Sequence, residues 1–70
     1  MVQLKHFLLN GERYYIEHNI DLLDLLTYFN YNNTLLVLEY NKSIFNKTNW
    51  KNTFIVDQDQ IELVTIVGGG

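Results

Sequence analysis

The pattern of apolar and polar residues predicts a β-hairpin near the start of the chain. Residues 2–9 are rich in strand formers, and Asn10-Gly11 follows them directly. Asn-Gly is the preferred pair in a type I′ turn, because both central residues of that turn need positive φ. Residues 12–17 then alternate between apolar and more polar side chains. This alternation predicts a returning strand with one face buried and the other wetter.

A helix is predicted next, over residues 20–29. Asn19 is the expected N-cap, and Asp21 and Asp24 lie near the positive end of the helix dipole. The apolar residues that recur at the spacing of one helical stripe are Leu22, Leu25, Leu26 and Phe29. The asparagine-rich segment 30–33 should end the helix, since Asn tolerates a left-handed backbone.

The second half of the chain predicts further strands and short turns. Trp50 stands alone among polar residues and is expected to fill the core beneath a loop or short 3₁₀ turn, rather than to bind a ligand. The predicted strands are residues 34–40, 43–45, 53–56 and 60–67, with turns at 41–42 and 57–59. The resulting ββαβ(β)β order favours an α+β fold of the β-grasp, or ubiquitin-like, type, in which a four- or five-stranded mixed sheet packs on one helix. Its last strand should lie beside the first, in the middle of the sheet.

Composition narrows the possible functions. The chain has 70 residues, a net charge of −3 and no cysteine, so we expect one small domain held together by packing alone. Lysine and arginine are few and scattered, which argues against nucleic acid as a partner. The longest apolar run is far shorter than the roughly 20 residues that span a bilayer. We therefore expect a soluble protein that does not associate with a membrane. We also expect no bound cofactor.

The end of the sequence is its most suggestive feature. An apolar run, residues 61–67, leads directly into Gly68, Gly69 and Gly70. We expect residues 1–67 to form the domain and 68–70 to form a flexible tail. Glycine has the narrowest cross-section of any residue, which suits a terminus that threads into another protein's active site. From the tail alone, a frayed end or a truncated chain is an equally good interpretation.

The last strand offers a candidate docking surface. If Ile61 and Leu63 face the core, then Glu62, Val64 and Ile66 face outward, because side chains alternate along a strand. Two exposed apolar residues, Val64 and Ile66, beside a glycine tail would form a patch that holds a partner enzyme. Incidental exposure is the alternative.

Other chemistry is poorly supported by the sequence. His6 and His18 are too few for a zinc site, so no metal is expected. Asp57 and Asp59 flank a predicted turn, where aspartate commonly accepts hydrogen bonds from nearby backbone. Ser43 has no histidine near it in sequence. We therefore expect no catalytic residue and no enzyme activity in this chain.

Taken together, these segments resemble the ThiS family of sulfur carrier proteins for thiamin biosynthesis. The spaced residues Asn41, Ile44, Lys47 and Trp50, joined to the terminal glycines, carry the most specific part of the likeness. Further similarity lies at residues 9–12, 22–26, 59 and 61–64. The chain departs from the family pattern at Asn46 and Gln58, where proline and glycine are common.

The resemblance implies that Gly70 is the modified residue. A ThiF-like adenylyltransferase would use ATP to form an acyl-adenylate at Gly70, and a cysteine desulfurase would supply sulfur. The thiocarboxylate would then donate sulfur to a ThiG-like thiazole synthase, with Gly68 and Gly69 threading the tail into each partner. The chain would be a monomer when free, in a bacterial cytoplasm or a plastid stroma. A molybdopterin synthase small subunit, or a ubiquitin-like interaction module that carries no sulfur, remains an alternative.

Overall fold

In the computed structural model, residues 4–31 and 36–65 are described, and they form a five-stranded mixed sheet packed on one helix. The strands are β1 (Lys5–Leu9), β2 (Glu12–Ile16), β3 (Leu36–Tyr40), β4 (Ser43–Ile44) and β5 (Gln60–Thr65). The helix α1 spans Leu22–Tyr28, and a 3₁₀ turn spans Lys47–Asn49. The predicted β-grasp fold is confirmed.

The sheet order is β2-β1-β5-β3-β4, which places β5 in the centre. It runs parallel to β1 and antiparallel to β3, as the predicted arrangement requires. The first hairpin turns at Asn10 and Gly11, whose φ values of 52° and 84° are both positive, as in the predicted type I′ turn. Asn41 and Lys42 make the second hairpin turn in the same way, with φ values of 52° and 71°.

The core lies between one face of the sheet and α1. Its buried side chains come from both layers and from the loop after β4: Phe7, Leu9, Leu22, Leu25, Leu26, Leu38, Trp50, Ile55 and Ile61. Trp50 fills the core as predicted, and its Nε1–H donates to the carbonyl of Phe45 at 3.1 Å. A buried indole with a satisfied N–H is a structural group, so the interpretation of Trp50 as a core residue holds.

The predicted helix start is wrong. Asp21, not Asn19, is the N-cap, and the Asp21 carboxylate accepts from the backbone N–H of Asp24 at 2.8 Å in a capping box. Ile20 lies outside the helix, and its carbonyl accepts from the backbone N–H of Ile55 at 2.9 Å. The Asn19 side chain instead accepts from the Lys5 ammonium. The end of the helix was predicted better, since Asn30 has a left-handed φ of 60°.

The strand predicted over residues 53–56 is also absent from the sheet. Phe54 makes only a single bridge, to Asp21. The Thr53 carbonyl accepts from the backbone N–H of Leu22 at 3.0 Å, so this segment pairs with the chain entering α1 rather than with a sheet strand. It closes one end of the core through the buried Ile55.

Candidate functional site

The candidate site is β5, the strand that runs through the middle of the sheet and precedes the terminal glycines in sequence. Along β5, Ile61 is buried and Leu63 packs against the core, whereas Glu62 and Val64 are exposed on the opposite face. The Val64 side chain is 52% exposed, as expected from the alternation along the strand. Ile66, Gly68, Gly69 and Gly70 lie outside the described residues, so their predicted roles stay predictions.

Hydrogen bonds fix the first residue of β5 from the β3 side. The backbone N–H of Asn41 donates to the Gln60 carbonyl at 2.7 Å, and the Asn41 side-chain oxygen accepts from the Gln60 N–H at 2.8 Å. Asn41 makes both bonds from a turn position with a left-handed φ of 52°, which asparagine tolerates. The start of the last strand is therefore held by the turn between β3 and β4.

Asn10 performs a similar role on the β1 side. Register pairing between β1 and β5 ends at Leu9 and Ile61. The Asn10 backbone N–H donates to the Ile61 carbonyl at 2.9 Å, and the Asn10 side-chain oxygen accepts from the Leu63 N–H at 2.8 Å. The Asn10 side chain thus extends the hydrogen bonding of β5 past the point where β1 turns away. The first residues of β5 are therefore held by hydrogen bonds on both sides.

Asp59, the residue before β5, is buried with only 4% of its surface exposed. One carboxylate oxygen accepts from the Val56 backbone N–H at 2.8 Å and from the Tyr40 hydroxyl; the other accepts from the Asn41 amide at 3.1 Å. The bond to Val56 is the turn chemistry that the sequence predicted. The bonds to Tyr40 and Asn41 were not predicted, because they depend on which strands are neighbours.

These contacts also affect titration. Burial, the hydrogen bond to Asp59 and the charge of Asp59 together raise the pKa of Tyr40 well above its ordinary value of 10.0. Burial alone would raise the pKa of Asp21. Hydrogen bonds to the Asp21 carboxylate, the largest of them from the backbone N–H groups of Asn52 and Asp24, together outweigh burial, and the pKa of Asp21 lies below its ordinary value. Asp21 caps α1, and Tyr40 bonds the residue that precedes β5.

The other candidate residues do not form a reactive site. His6 Nε2 lies 3.9 Å from the Asp57 carboxylate, which also accepts from the His6 backbone N–H at 2.9 Å. Within residues 4–31 and 36–65, no three His, Cys, Asp or Glu side chains are grouped to hold a metal ion. Ser43 is exposed on the short strand β4. In the same residues, no helix is long and apolar enough to cross a membrane.

One groove lies away from this site. It has a volume of about 350 Å³ and is lined by residues of β1, β2, α1 and the link between β2 and α1, including Tyr14, Tyr28 and Phe29. No residue of β5 lines it. The groove therefore lies at the β2 edge of the sheet, beside α1, and not at the candidate site.

The chain is similar in sequence to the ThiS family and to individual relatives. The sequence model of the ThiS family matches residues 7–70. The "Uncharacterized protein ycf40" of Trieres chinensis is 56% identical over 66 residues, which cover 94% of this chain and 90% of that protein. The "Sulfur carrier protein ThiS" of Bacillus subtilis is 38% identical over 47 residues, 67% of this chain and 71% of that protein.

A solved structure supports the fold. The crystal structure of the thiamine biosynthesis protein (ThiS) from Geobacter metallireducens superposes with a TM-score of 0.79, covering 93% of this chain and 99% of that chain. Sequence identity between the two is 19%, so this likeness speaks for the shared fold alone.

Proposed function

Because the chain belongs to the ThiS family, we propose that it is a sulfur carrier protein for synthesis of the thiamin thiazole ring. In this proposal the Gly70 carboxylate is adenylated by a ThiF-like enzyme that consumes ATP. A cysteine desulfurase supplies sulfur, and the resulting thiocarboxylate donates it to a ThiG-like thiazole synthase. The carrier works as a co-substrate of these enzymes and is not itself a catalyst.

The chemistry explains why the carrier needs a partner. A carboxylate resists nucleophilic attack because its negative charge is shared by two oxygens. Attack of a Gly70 oxygen on the α-phosphorus of ATP releases pyrophosphate and leaves a mixed anhydride. A persulfide sulfur then attacks the carbonyl carbon and AMP leaves, after which a thiol reduces the resulting S–S bond and frees the thiocarboxylate. The chain has no GxxxxGK[ST] phosphate-binding loop, so the adenylating partner must supply the ATP site.

The family match, which extends to residue 70, is the observation that carries the proposal. The structure supports it by placing β5, the strand before the glycines, in the centre of the sheet. A rigid base followed by Gly68 and Gly69 would let Gly70 reach a buried active site while the domain docks outside. Val64, and Ile66 beyond the described residues, would contact the partner.

Two variants at the end of the chain test the proposal. We expect deletion of Gly70, or addition of one alanine after it, to abolish ATP–pyrophosphate exchange by the adenylating enzyme. Both variants should keep the unfolding midpoint of the unaltered protein, because neither change alters a residue of strands β1–β5 or one of the buried core residues. An alanine substitution at the exposed Tyr28, on α1, is a matched control that should keep exchange. Exchange that survives both tail variants would contradict the proposal.

The acceptor enzyme needs a separate test. Molybdopterin synthesis would use the same tail chemistry, whereas the match to the ThiS family model and the carrier relative named ThiS favour the thiamin pathway. The sulfurated protein should bind thiazole synthase and restore thiazole formation in a reconstituted reaction. A stable complex with the large subunit of molybdopterin synthase alone would favour the other pathway. Sulfur-free protein isolated from the native host would favour a plain interaction module.

A further inference from the structure

Strand β2 forms the long edge of the sheet. It stands first in the order β2-β1-β5-β3-β4, and within the described residues it pairs with β1 alone. At the other edge, β4 has only two residues, and a short edge strand is one way in which proteins prevent further strands from pairing. β2 has five residues, and the segment 12–18 contains no proline or lysine, two other devices that block such pairing. β2 is therefore the edge at which another strand can join the sheet.

The hydrogen bonds of β1 show which backbone groups of β2 face outward. The N–H groups of Leu8 and Asn10 both donate to carbonyls on the β5 side at 2.9 Å. Successive residues of a strand direct their backbone groups to opposite sides, so Leu9 bonds the strand on its other side, β2. Its register partner there is Glu12. Glu12 and every second residue after it in β2 therefore bond β1.

The residues between them direct their backbone groups toward the open edge. Arg13 and Tyr15 are in this position, and both side chains are exposed, Tyr15 to 58%. Glu17, directly after β2, is exposed and continues the same alternation. Tyr14 and Ile16 are half-buried and pack against the core on the α1 face. The open edge thus presents a cation, an aromatic ring and an anion at every second residue.

This order of side chains is complementary to itself. When two copies of β2 pair antiparallel about a two-fold axis at Tyr15, residue 13 of each copy faces residue 17 of the other. Arg13 then lies opposite Glu17 twice in the pair, and the outward backbone groups of the two strands meet. On the α1 face, Tyr14 lies opposite Ile16 of the other copy. Opposite charges and aromatic–β-branched pairs are the cross-strand pairs that stabilise a sheet.

Other two-fold registers lack this match. An axis at Tyr14 places Arg13 opposite Tyr15, and an axis at Ile16 places Tyr15 opposite Glu17. An axis at Arg13 or at Glu17 places like charges opposite each other, which destabilises a sheet. Of these registers, the one centred on Tyr15 alone joins both ion pairs. A strand that matches itself at one register indicates a second copy of this chain as its partner.

We propose that two copies of this chain associate through β2, in the register centred on Tyr15, so that their two five-stranded sheets join into one. A contact of about five residues from each copy is small, so the dimer is weak and the monomer predominates in dilute solution. Tyr14 and Ile16 line the groove beside α1, and the second copy covers the β2 side of that groove. Because β1 separates β2 from β5, the contact leaves Val64 exposed in both copies. The proposal does not depend on the carrier function.

Charge reversal tests the register. Arg13→Glu or Glu17→Arg alone places like charges opposite each other at both ends of the contact, and each should weaken self-association by about tenfold or more. An equimolar mixture of the two variants should associate again, because each substituted residue then faces its opposite charge in the other copy. Glu17→Arg also lowers the net negative charge, so general charge repulsion alone would predict stronger association for this variant.

Lys51→Glu is the matched control for Arg13→Glu, since Lys51 is exposed in the loop after the 3₁₀ turn and the change in charge is the same. It should associate as the unaltered protein does. All the substituted side chains are exposed, so each variant should remain folded, and thermal unfolding checks this.

Sedimentation equilibrium from dilute solution up to about 1 mM protein measures self-association, and amide hydrogen exchange locates the contact. A concentration-dependent dimer supports the proposal when the Arg13 and Tyr15 N–H groups gain protection, each variant alone is monomeric, and the mixture dimerises. An unaltered protein that stays monomeric throughout this range overturns it. So does a mixture that associates no more than each variant alone, or a dimer whose gained protection lies outside β2.

Discussion

Replacing Asp59 by asparagine tests how the start of β5 is held in place. All three groups that bond the Asp59 side chain are donors: the Val56 N–H and the Tyr40 hydroxyl on one oxygen, and the Asn41 amide on the other. An asparagine has one acceptor oxygen and one donor nitrogen. Whichever way its amide is turned, at least one donor at this buried position loses its acceptor and faces another donor.

The cost can be estimated from these contacts. Losing a hydrogen bond to a charged group costs about 1.5–3 kcal/mol, so we expect Asp59→Asn to lower the free energy of unfolding by about 2 kcal/mol. A chain of this length has a total stability of roughly 4–10 kcal/mol. The unfolding midpoint should therefore fall by roughly 10 °C. Urea unfolding followed by circular dichroism measures the change in the free energy of unfolding.

Asp57→Asn is the matched control, two residues away in the same turn. Asp57 is exposed and accepts a single backbone hydrogen bond, from His6 at 2.9 Å, which an asparagine oxygen can also accept. We expect its stability to change by less than about 0.5 kcal/mol. Equal effects of the two substitutions would refute the argument that Asp59 is held by three converging donors.

Substitutions of Tyr40, Asp21 and Val64 should each change a measurable property of the protein. The raised pKa of Tyr40 means that its contribution to stability is complete below pH 10.0 and is lost as pH rises further, so Tyr40→Phe should flatten the alkaline part of the stability curve measured by urea unfolding. The lowered pKa of Asp21 means that its contribution to stability is present above pH 3.8 and is lost as pH falls below that value. Asp21→Asn should therefore lower the free energy of unfolding by about 1 kcal/mol at neutral pH and make the thermal unfolding midpoint less sensitive to acid. Val64→Thr should leave the unfolding midpoint nearly unchanged and raise the KM of adenylation about fivefold, because it removes about 1 kcal/mol of apolar burial from the docked complex. An unchanged KM would remove Val64 from the docking surface.

Local sequence signals predicted the features whose geometry depends on residues close together in the sequence. The turn at Asn10-Gly11 was predictable because only a few residue types tolerate positive φ at both positions. The position of β5 followed from the order of the elements. The burial of Trp50 followed from its isolation among polar residues.

The errors arose where tertiary contacts chose between equivalent local signals. Asn19 and Asp21 are both good N-cap residues, and Asp21 is selected because its second carboxylate oxygen also accepts from the Asn52 N–H at 3.0 Å. Residues 53–56 have the composition of a strand, but the segment pairs with the chain before α1. The opposition of Glu39 and Glu62 in the pairing of β3 with β5 was not predictable, because it depends on the register of two strands far apart in sequence.

Intact-mass analysis of the protein from its native host, with fragmentation to locate any modification, shows whether Gly70 carries sulfur. We expect a fraction of molecules in which one oxygen at Gly70 is replaced by sulfur, and loss of that fraction when the adenylating enzyme is removed. Molecules carrying only an unmodified Gly70 acid, a conjugate to lysine, or further residues after Gly70 would contradict this expectation.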